Sequence, residues 1–366
     1  MAAGASHLST LVNAALLVVL AGFLIFIGKP VLLPILAAVI AVYVLLSASD
    51  ALGRLPVIGR LPTSLRRFIV LLGFAVAVIL LTGVVVGTVG QILREAPTYQ
   101  TNIERLVARA ADMAGLDERP DWKTIRDATL GRLSVQGLVN DVLLNVTNIG
   151  ASVFLVIVYA AFLLSERAGF AAKLSAALPD HESAARAETM IGNINRRIGD
   201  YLAIKTLVNV ILGAISFVIL WALGIDYPLF WALVIGLLNY IPYIGSLVAV
   251  AFPVGMSALQ FGNLEWTLLV AVLLTAAQIA VGNILDPRLV GRRVNLSPFV
   301  VLVSLAIWSA LWGLPGALLA VPLTSMLTIV LSAFDTTRGI AVLMADRVAV
   351  DGAMYTLPKR TPSDDA

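Results

Sequence analysis

Two stretches of this sequence are free of Asp, Glu, Lys and Arg for far longer than one membrane helix requires. Residues 227–264 form an uncharged run of 38 residues, and residues 294–334 form one of 41. A helix needs about 20 apolar residues to cross the hydrocarbon core of a bilayer. Each run also contains helix-breaking residues near its centre, NYIPYIG at 239–245 and WGLPG at 312–316. Each run therefore predicts two helices joined by a break whose freed backbone groups find partners inside the protein.

Six further uncharged runs have the length of one crossing each. They cover residues 8–28, 30–49, 68–93, 142–165, 206–225 and 266–285. The composition agrees, since 60% of the 366 residues are hydrophobic and only 13% are charged. We therefore predict an all-α, polytopic membrane protein with about six full transmembrane helices and two helical hairpins.

The positions of the arginines favour hairpins over full crossings of the two long runs. Arginines between the second and third runs predict that residues 50–67 are cytoplasmic, because basic loops stay on that side. If residues 227–264 enter and leave on one face, the basic loop 286–293 is also cytoplasmic; a full crossing would place it outside. We therefore predict two re-entrant hairpins that enter from opposite faces, with both chain termini cytoplasmic.

These boundaries divide the chain into six predicted segments. They are scaffold transmembrane helices 1–3 (1–93), an extracytoplasmic helical segment (94–141), transmembrane helix 4 (142–165), a cytoplasmic amphipathic segment (166–202), a transport unit (203–338) and a partly disordered cytoplasmic tail (339–366). In the transport unit a span precedes each hairpin, an order that resembles secondary transporters with substrate sites at broken helices near the midplane. The extracytoplasmic segment is predicted as two helices separated at GLDERPD (115–121), serving as a small cap or as a partner-binding surface.

The residue types on which many enzymes depend are scarce. The sequence has no cysteine and two histidines, so it cannot build a Cys/His zinc site or a thiolate nucleophile. No Asp or Glu lies inside a predicted span. We expect no enzymatic activity, no cofactor and no metal site. The net charge of +3 comes from arginines in short loops rather than a basic stripe, so we expect no nucleic acid partner.

Polar and helix-breaking residues at membrane depth are candidates for solute binding, because burying a polar group in a bilayer is costly. Those at the first break and in the two spans beside it are Asn239, Tyr240, Pro242, Tyr243, Gly245, Asn209, Gln278 and Asn283. Other roles are open. The Asn239 amide can satisfy carbonyls freed by Pro242, the tyrosines can be buried rings, and Gln278 can bridge two helices.

A second set of residues is expected to shape the hairpins and their gating. These are Gly313, Pro315, Gly316, Asp286, Pro287 and Pro298. Glycine permits a tight reversal and a close backbone approach. Proline begins or ends a helix, and Asp286 is expected to cap a helix or to bind a cation.

Three motifs in this order resemble the autoinducer-2 exporter family, also called the PerM-like permeases. They are NYIPYIG (239–245), DPRLVGRRVNLSP (286–298) and WSALWGLPGALLAVPLTSML (308–327). The resemblance implies a bacterial inner-membrane protein that exports autoinducer-2, a quorum-sensing signal, or another small polar solute. It also implies a homo-oligomer, pentameric in exporter members. Two alternatives remain open: a sodium/proton antiporter with a coupling cation, and a non-transporting membrane scaffold or regulator.

Overall fold

The computed structural model describes residues 2–54, 58–113, 152–166, 181–290, 295–350 and 353–355, together with a few single positions between these ranges. Most of the described residues are helical. The helices are α1 (Ala2–Ile27), α2 (Lys29–Leu52), a 3₁₀ turn (Ile58–Arg60), α3 (Thr63–Met113), α4 (Ser152–Glu166), α5 (His181–Ala222), α6 (Pro228–Leu238), α7 (Ile244–Phe261), α8 (Leu264–Ala280), a π-helical segment (Val281–Leu285), α9 (Asp286–Val290), α10 (Pro298–Trp312), α11 (Leu314–Ser332) and α12 (Asp335–Met344). Strands β1 (Val348–Val350) and β2 (Ala353–Tyr355) pair antiparallel, with Val348 opposite Tyr355.

Six helices of the described residues are long and apolar enough to cross a membrane. They are Lys29–Leu52, Thr63–Ile92, Glu182–Ala222, Ile244–Phe261, Leu264–Leu289 and Leu314–Ser332. The prediction of an all-α protein with about six membrane helices is confirmed, although the set differs from the predicted one. The second arms of the two hairpins are among the six; run 8–28 lies almost entirely in α1, and the described residues of run 142–165 lie in α4.

Two helices continue well beyond the predicted ends of their membrane spans. Helix α3 has 51 residues and α5 has 42, so each is about twice as long as the 30 Å hydrocarbon core requires. Residues 94–113 are therefore the extension of α3, and the predicted boundary at 202/203 lies within α5. Charged residues mark where lipid ends, but Glu, Arg and Lys are good helix formers and do not end a helix. The predicted break at 115–121, the rest of that segment and the tail after residue 355 lie outside the described residues.

The backbone divides into two units. The second-hairpin unit contains Met1–Tyr43, Val158–Leu202 and Arg292–Ala366, and the first-hairpin unit contains Val44–Ile157 and Ala203–Gly291. The predicted transport unit, residues 203–338, is therefore divided between them. Its definition followed the order of the chain, whereas α10 of the second hairpin packs with α1 at the other end of the sequence.

The first hairpin is formed by α6 and α7, and its two ends meet. The Gln260 side chain near the end of α7 donates to the Gly224 carbonyl oxygen (2.8 Å) and to Oδ1 of Asp226 (3.1 Å), both just before α6. At the other end the helix breaks as predicted. Tyr243 has φ 63° and ψ −63°, and the Ile244 N–H donates to the Pro242 carbonyl at 2.7 Å. This is a γ-turn with positive φ, a strained conformation for a residue with a side chain.

The second hairpin is formed by α10 and α11, which reverse at Gly313. Gly313 has φ 70°, a value that glycine adopts without a steric penalty. The Trp308 indole N–H on α10 donates to Thr324 Oγ1 on α11 at 3.0 Å. The two prolines lie in first helical turns, where no backbone donor is needed: Pro298 in α10 and Pro315 in α11. The second break predicted from the sequence is therefore also present.

One glycine in each hairpin sits where the second arm passes the backbone of the first. A Cβ atom on Gly245 would overlap the Leu238 carbonyl, and a Cβ atom on Gly316 would overlap the Trp308 carbonyl. Both glycines are buried. The candidate ligand residue Gly245 thus has a packing role, since any larger residue there would separate the two arms.

We predict that Gly245→Ala lowers the free energy of unfolding by about 1–3 kcal/mol, because the added methyl group would overpack the hairpin. The matched control is Gly255→Ala in the same helix α7, where a Cβ atom would have no neighbour within 4 Å. That substitution should be neutral or stabilising by about 0.5–1 kcal/mol, because alanine is the better helix former. Thermal unfolding in detergent micelles compares them, and equal effects of the two variants would contradict the packing role.

Candidate functional site

Three polar side chains of helix α5 contact the first hairpin and the segment after α8. The Lys205 ammonium pairs with Asp286, the Thr206 hydroxyl with the Tyr240 hydroxyl, and the Asn209 amide with that of Asn239. Lys205, Asn209 and Asn239 are each less than one-tenth exposed. Polar groups so deep in an apolar helix are expensive unless paired, and each of these pairs joins two chain segments.

Glycines bring α5 close enough to α6 for these short side chains to meet. A Cβ atom on Gly213 of α5 would lie 3.2 Å from the Ala232 carbonyl oxygen of α6, and one on Gly236 of α6 would lie 3.1 Å from the Asn209 carbonyl oxygen. These separations are tighter than ordinary van der Waals contact. Small residues at both crossing points therefore allow the near contact of the two backbones that amide-to-amide bonding requires.

Three side-chain amides form one hydrogen-bonded row, which we call the amide chain. Gln278 Nε2 on α8 donates to Asn239 Oδ1 at 2.7 Å, and Asn239 Nδ2 donates to Asn209 Oδ1 at 2.8 Å. Both bonds of the Asn239 side chain therefore go to other amides rather than to carbonyls freed by Pro242. The row joins α8, the helix break and α5.

The two ends of the amide chain are buried without a hydrogen-bond partner among the described residues. Asn209 Nδ2 is an unpaired donor beside the Tyr240 hydroxyl, and Gln278 Oε1 is an unpaired acceptor. A buried amide atom left unpaired costs roughly 1–3 kcal/mol, so native structures rarely leave one without water or a ligand. Hydroxyl groups suit both ends chemically, because one hydroxyl can accept from the Asn209 donor and another can donate to the Gln278 acceptor.

The remaining candidates of the first hairpin are placed differently. Tyr240 is half-buried with its hydroxyl on Thr206, and Tyr243 is 61% exposed at the γ-turn. Asn283 is exposed and takes no part in the amide chain. Pro242 supplies the carbonyl of the γ-turn. The structure therefore brings together Asn209, Asn239 and Gln278, with Tyr240 beside them, and leaves Tyr243 and Asn283 outside.

An ion pair lies next to the amide chain in the same unit. Lys205 Nζ is 2.6 Å from Asp286 Oδ2, and the two side chains are 11% and 23% exposed. Asp286 is expected from the sequence to cap a helix or to bind a cation. In the structure, the cation that contacts its carboxylate is the Lys205 ammonium. Sequence reasoning missed Lys205 because its charge ended the uncharged run at 206. Its spacing of four residues from Asn209 is the signal that could have found it, because positions i and i+4 share a helix face.

The π-helical segment between Gln278 and Asp286 helps both residues to reach α5. In a regular α-helix, eight residues advance about 80° beyond two full turns. The five-residue π segment Val281–Leu285 widens one turn and reduces that offset. Both side chains consequently contact α5, through the amide chain and through the ion pair. Pro287 follows in the first turn of α9, where it interrupts no helical hydrogen bond.

In the second hairpin, the candidate gating residues form the turn rather than a polar cluster. Gly313 and Pro315 are exposed at the reversal, and Gly316 provides the close approach to Trp308. The neighbouring Trp312 is buried, and its indole N–H donates to the Ile25 carbonyl in the last turn of α1 at 3.0 Å. This bond satisfies a carbonyl that the end of α1 would otherwise leave free. Over the described residues, no group of three or more His, Cys, Asp or Glu could hold a metal ion.

Apolar helices of membrane-crossing length, broken helices and a buried polar row together define the class of this protein, a membrane transporter with discontinuous helices. Within that class, the chain belongs to the AI-2E family of transporters, whose family model matches residues 14–335. The family resemblance found in the motifs is thereby confirmed. Membership of a transporter family makes the chain a multi-pass membrane transporter and not an enzyme.

Three relatives are similar to this chain over most of its length. A Haemophilus influenzae protein named "Putative transport protein" is 30% identical over 355 residues, which is 93% of this chain and 97% of the relative. The Escherichia coli K12 protein named "AI-2 transport protein TqsA" is 29% identical over 297 residues, 78% of this chain and 82% of the relative. The "Putative permease PerM" of the same strain is 28% identical over 338 residues, 88% and 92%.

Proposed function

We propose that this transporter exports a small, uncharged solute rich in hydroxyl groups and binds it at the amide chain. The observation that carries the proposal is the pair of buried, unpartnered ends, the Asn209 donor and the Gln278 acceptor. Neutral hydrogen-bonding groups recognise a neutral polar solute, because a charged one would need a fixed countercharge in a dry site. Lys205 and Asp286 neutralise each other, so the neighbouring ion pair offers no free charge.

Autoinducer-2 is the first solute to test against this chemistry. It is a small polyhydroxylated molecule, and the relative from Escherichia coli carries the name AI-2 transport protein. The amide chain gives such a molecule a donor at one end and an acceptor at the other, while the strained γ-turn at Tyr243 keeps the break open beside it. Export would follow an alternating-access cycle in which the broken helices lie near the midplane of the bilayer.

We predict that Asn239→Ala reduces export of autoinducer-2 from proteoliposomes by about tenfold or more. The substitution removes the amide that holds both solute-binding ends in place, and a resulting loss of about 1.4 kcal/mol of hydrogen bonding to the solute corresponds to a factor of ten. Asn283→Ala is the matched control, because it removes an exposed amide of the same unit that lies outside the amide chain. The measurement is initial efflux rate against solute concentration for both variants at equal protein incorporation. Unchanged efflux from Asn239→Ala would overturn the assignment of the site.

The re-entrant arrangement of the two hairpins, both termini on the cytoplasmic side and location in the bacterial inner membrane are parts of the same proposal. Support comes from the Gln260 bonds that hold the two ends of the first hairpin together, and from the basic loops. Assembly as a homo-oligomer, a pentamer by family resemblance, also stays a prediction. A non-transporting scaffold is set aside, because the family is one of transporters.

The absence of cysteine allows this topology to be tested with single cysteines at exposed positions. We expect an impermeant thiol reagent to label Ala222→Cys and Glu265→Cys, which flank the first hairpin, from the same side. Phe299→Cys and Thr336→Cys, which flank the second hairpin, should both be labelled from the opposite side. All four residues are exposed. If the two members of either pair are labelled from different sides, that hairpin crosses the membrane completely.

A second candidate function is sodium/proton antiport, and the Lys205–Asp286 ion pair is the observation that favours it. A carboxylate within apolar helices can exchange its partner for a proton or a metal cation. We rank this function below export because Lys205 already occupies Asp286 as a tethered cation, so a free cation must compete with a permanent neighbour. The feature to test is whether a free cation can displace the Lys205 ammonium, which lies 2.6 Å from Oδ2 of Asp286.

We therefore expect no pH change when sodium is added outside proteoliposomes that contain a pH-sensitive dye. A sodium-dependent change that disappears in Asp286→Asn would place antiport first. Because that variant leaves the Lys205 charge buried without a partner, which costs about 3–5 kcal/mol in buried pairs, its folding needs a control. The double variant Lys205→Met/Asp286→Leu removes both charges and should keep the fold. Loss of the signal in both variants would assign it to the ion pair rather than to unfolding.

A further inference from the structure

A polar network joins the α3 extension, residues 94–113, to the end of the first hairpin away from the break. Asn102 Nδ2 donates to the carbonyl oxygens of Leu259 (2.9 Å) and Gln260 (2.8 Å), the last carbonyls of α7. The Gln260 side chain in turn bonds Asp226, accepting from its backbone N–H and donating to its carboxylate. Tyr99 completes the network from α3 and is only 6% exposed. Neither the amide chain nor the ion pair includes any of these residues.

The Tyr99 hydroxyl lies between two carboxylates but has one proton to donate. It donates to Glu95 Oε2 at 2.8 Å, and its oxygen is 3.4 Å from Asp226 Oδ2. If both carboxylates were ionised, the Tyr99 hydroxyl could donate to only one of them. The other carboxylate oxygen would then face the lone pairs of the Tyr99 oxygen. The geometry is satisfied when Asp226 carries a proton and donates it to Tyr99, while Tyr99 donates to Glu95. The order of donors is then Asp226, Tyr99, Glu95.

The charges around Asp226 favour this arrangement. Burial raises the pKa of Asp226, repulsion by Glu95 raises it further, and these two effects outweigh the hydrogen bond with Tyr99, which lowers it. Burial likewise raises the pKa of Tyr99, so its hydroxyl stays protonated and remains a donor. Four groups face Asp226. They are Glu95 and Tyr99 from α3, the neutral Gln260 side chain from α7, and Tyr227, which follows Asp226 in the sequence. In the part of the chain that the structure describes, no lysine or arginine forms an ion pair with Asp226 or Glu95.

We propose that Glu95 and Asp226 share one proton through Tyr99, and that this proton latches the α3 extension onto the closed end of the first hairpin. The ligand of this site is the proton itself. Loss of the proton places two negative charges on either side of one hydroxyl, which repels α3 from the α5–α6 connection. The latch then releases the extension and exposes the apolar cluster beneath Tyr99, which includes Met256 and Val270.

The direction of the pH effect follows from the raised pKa of Asp226. Because the pKa of Asp226 is raised in the closed state, the protonated carboxyl group stabilises that state. This stabilisation is fully present below the ordinary pKa of the group, 3.8. The stabilisation is lost as the pH rises through the pKa of the closed state. The latch therefore closes at lower pH and loosens at higher pH. This direction does not depend on which solute the protein carries.

The test uses a thiol placed under the latch in this cysteine-free chain. Met256 is 3% exposed and belongs to the cluster covered by Tyr99, so Met256→Cys substitutes one sulfur-containing side chain for another at a buried site. The rate of its reaction with a water-soluble maleimide is measured in detergent from the ordinary pKa of an aspartate, 3.8, up to about pH 8. The same rate is measured with Asp226→Asn added. The ratio of the two rates removes the pH dependence of the thiol itself.

We expect this ratio to stay near one at the acidic end and to rise several-fold toward the alkaline end, where the latch has lost its proton. Asparagine mimics the protonated carboxyl group, so the latch stays closed in Asp226→Asn at every pH. Glu95→Gln should also stay closed, because Tyr99 can then donate to an unopposed Asp226 carboxylate. This second variant keeps the test valid if Asp226→Asn fails to fold.

Two controls separate the latch from a general effect of charge. Glu265→Gln removes an exposed carboxylate at the start of α8, outside the network, and should behave like the parent chain at every pH. Tyr99→Phe removes the hydroxyl through which Glu95 and Asp226 share the proton. It should raise the labelling rate of Met256→Cys even at the acidic end. A ratio that does not change with pH, or a Tyr99→Phe variant that labels like the parent at low pH, would overturn the proposal.

Discussion

The hydrogen bond between Asn209 and Asn239 is the contact on which the first-hairpin unit depends. It joins the middle of a membrane-length helix to the residue at which the next helix ends, and it is buried on both sides. Such a short bond requires α5 and α6 to approach almost to backbone contact, which Gly213 and Gly236 permit. The break, the crossing and the polar row are therefore one arrangement, because a larger residue at either glycine would separate the amides.

Mutual pairing explains why so many polar groups can lie together in apolar helices. The measured worth of one interhelical hydrogen bond in a membrane protein averages about 0.6 kcal/mol, so the Asn209–Asn239 bond matters more for the geometry of the unit than for its stability. Their main effect is to avoid the larger penalty of an unpaired buried group. Asn209 and Gln278 are two of six residues with a buried side-chain atom that lacks a hydrogen-bond partner among the described residues, and they are the two that belong to the amide chain. They mark the place where we propose that a solute hydroxyl binds.

The sequence predicted the breaks more accurately than the partners. Proline and glycine within overlong uncharged runs located both reversals, because these residues act on the local backbone. The pairing of Asn209 with Asn239 could not be predicted, since it depends on which helices cross. Lys205 was missed because a charged residue was taken as the end of a helix. Asn283, predicted as a solute-binding candidate, takes no part in the amide chain, which agrees with a helical spacing that places it about 140° around the helix from Gln278.

The two ends of the first hairpin are held by contacts of different kinds, and this difference bears on how the unit can move. At the break, buried amides and an ion pair connect the hairpin and α9 to α5, and separating them would leave several polar groups unpaired in an apolar environment. At the closed end, Tyr99 and Asn102 of α3 are also buried, but their partners Asp226 and Gln260 are partly exposed and Glu95 is exposed, so water can replace the bonds of these partners when they open. The free energy of opening is consequently lower at the closed end. We therefore expect α5, the hairpin and α8 to move as one body, with α3 as the element that separates from them.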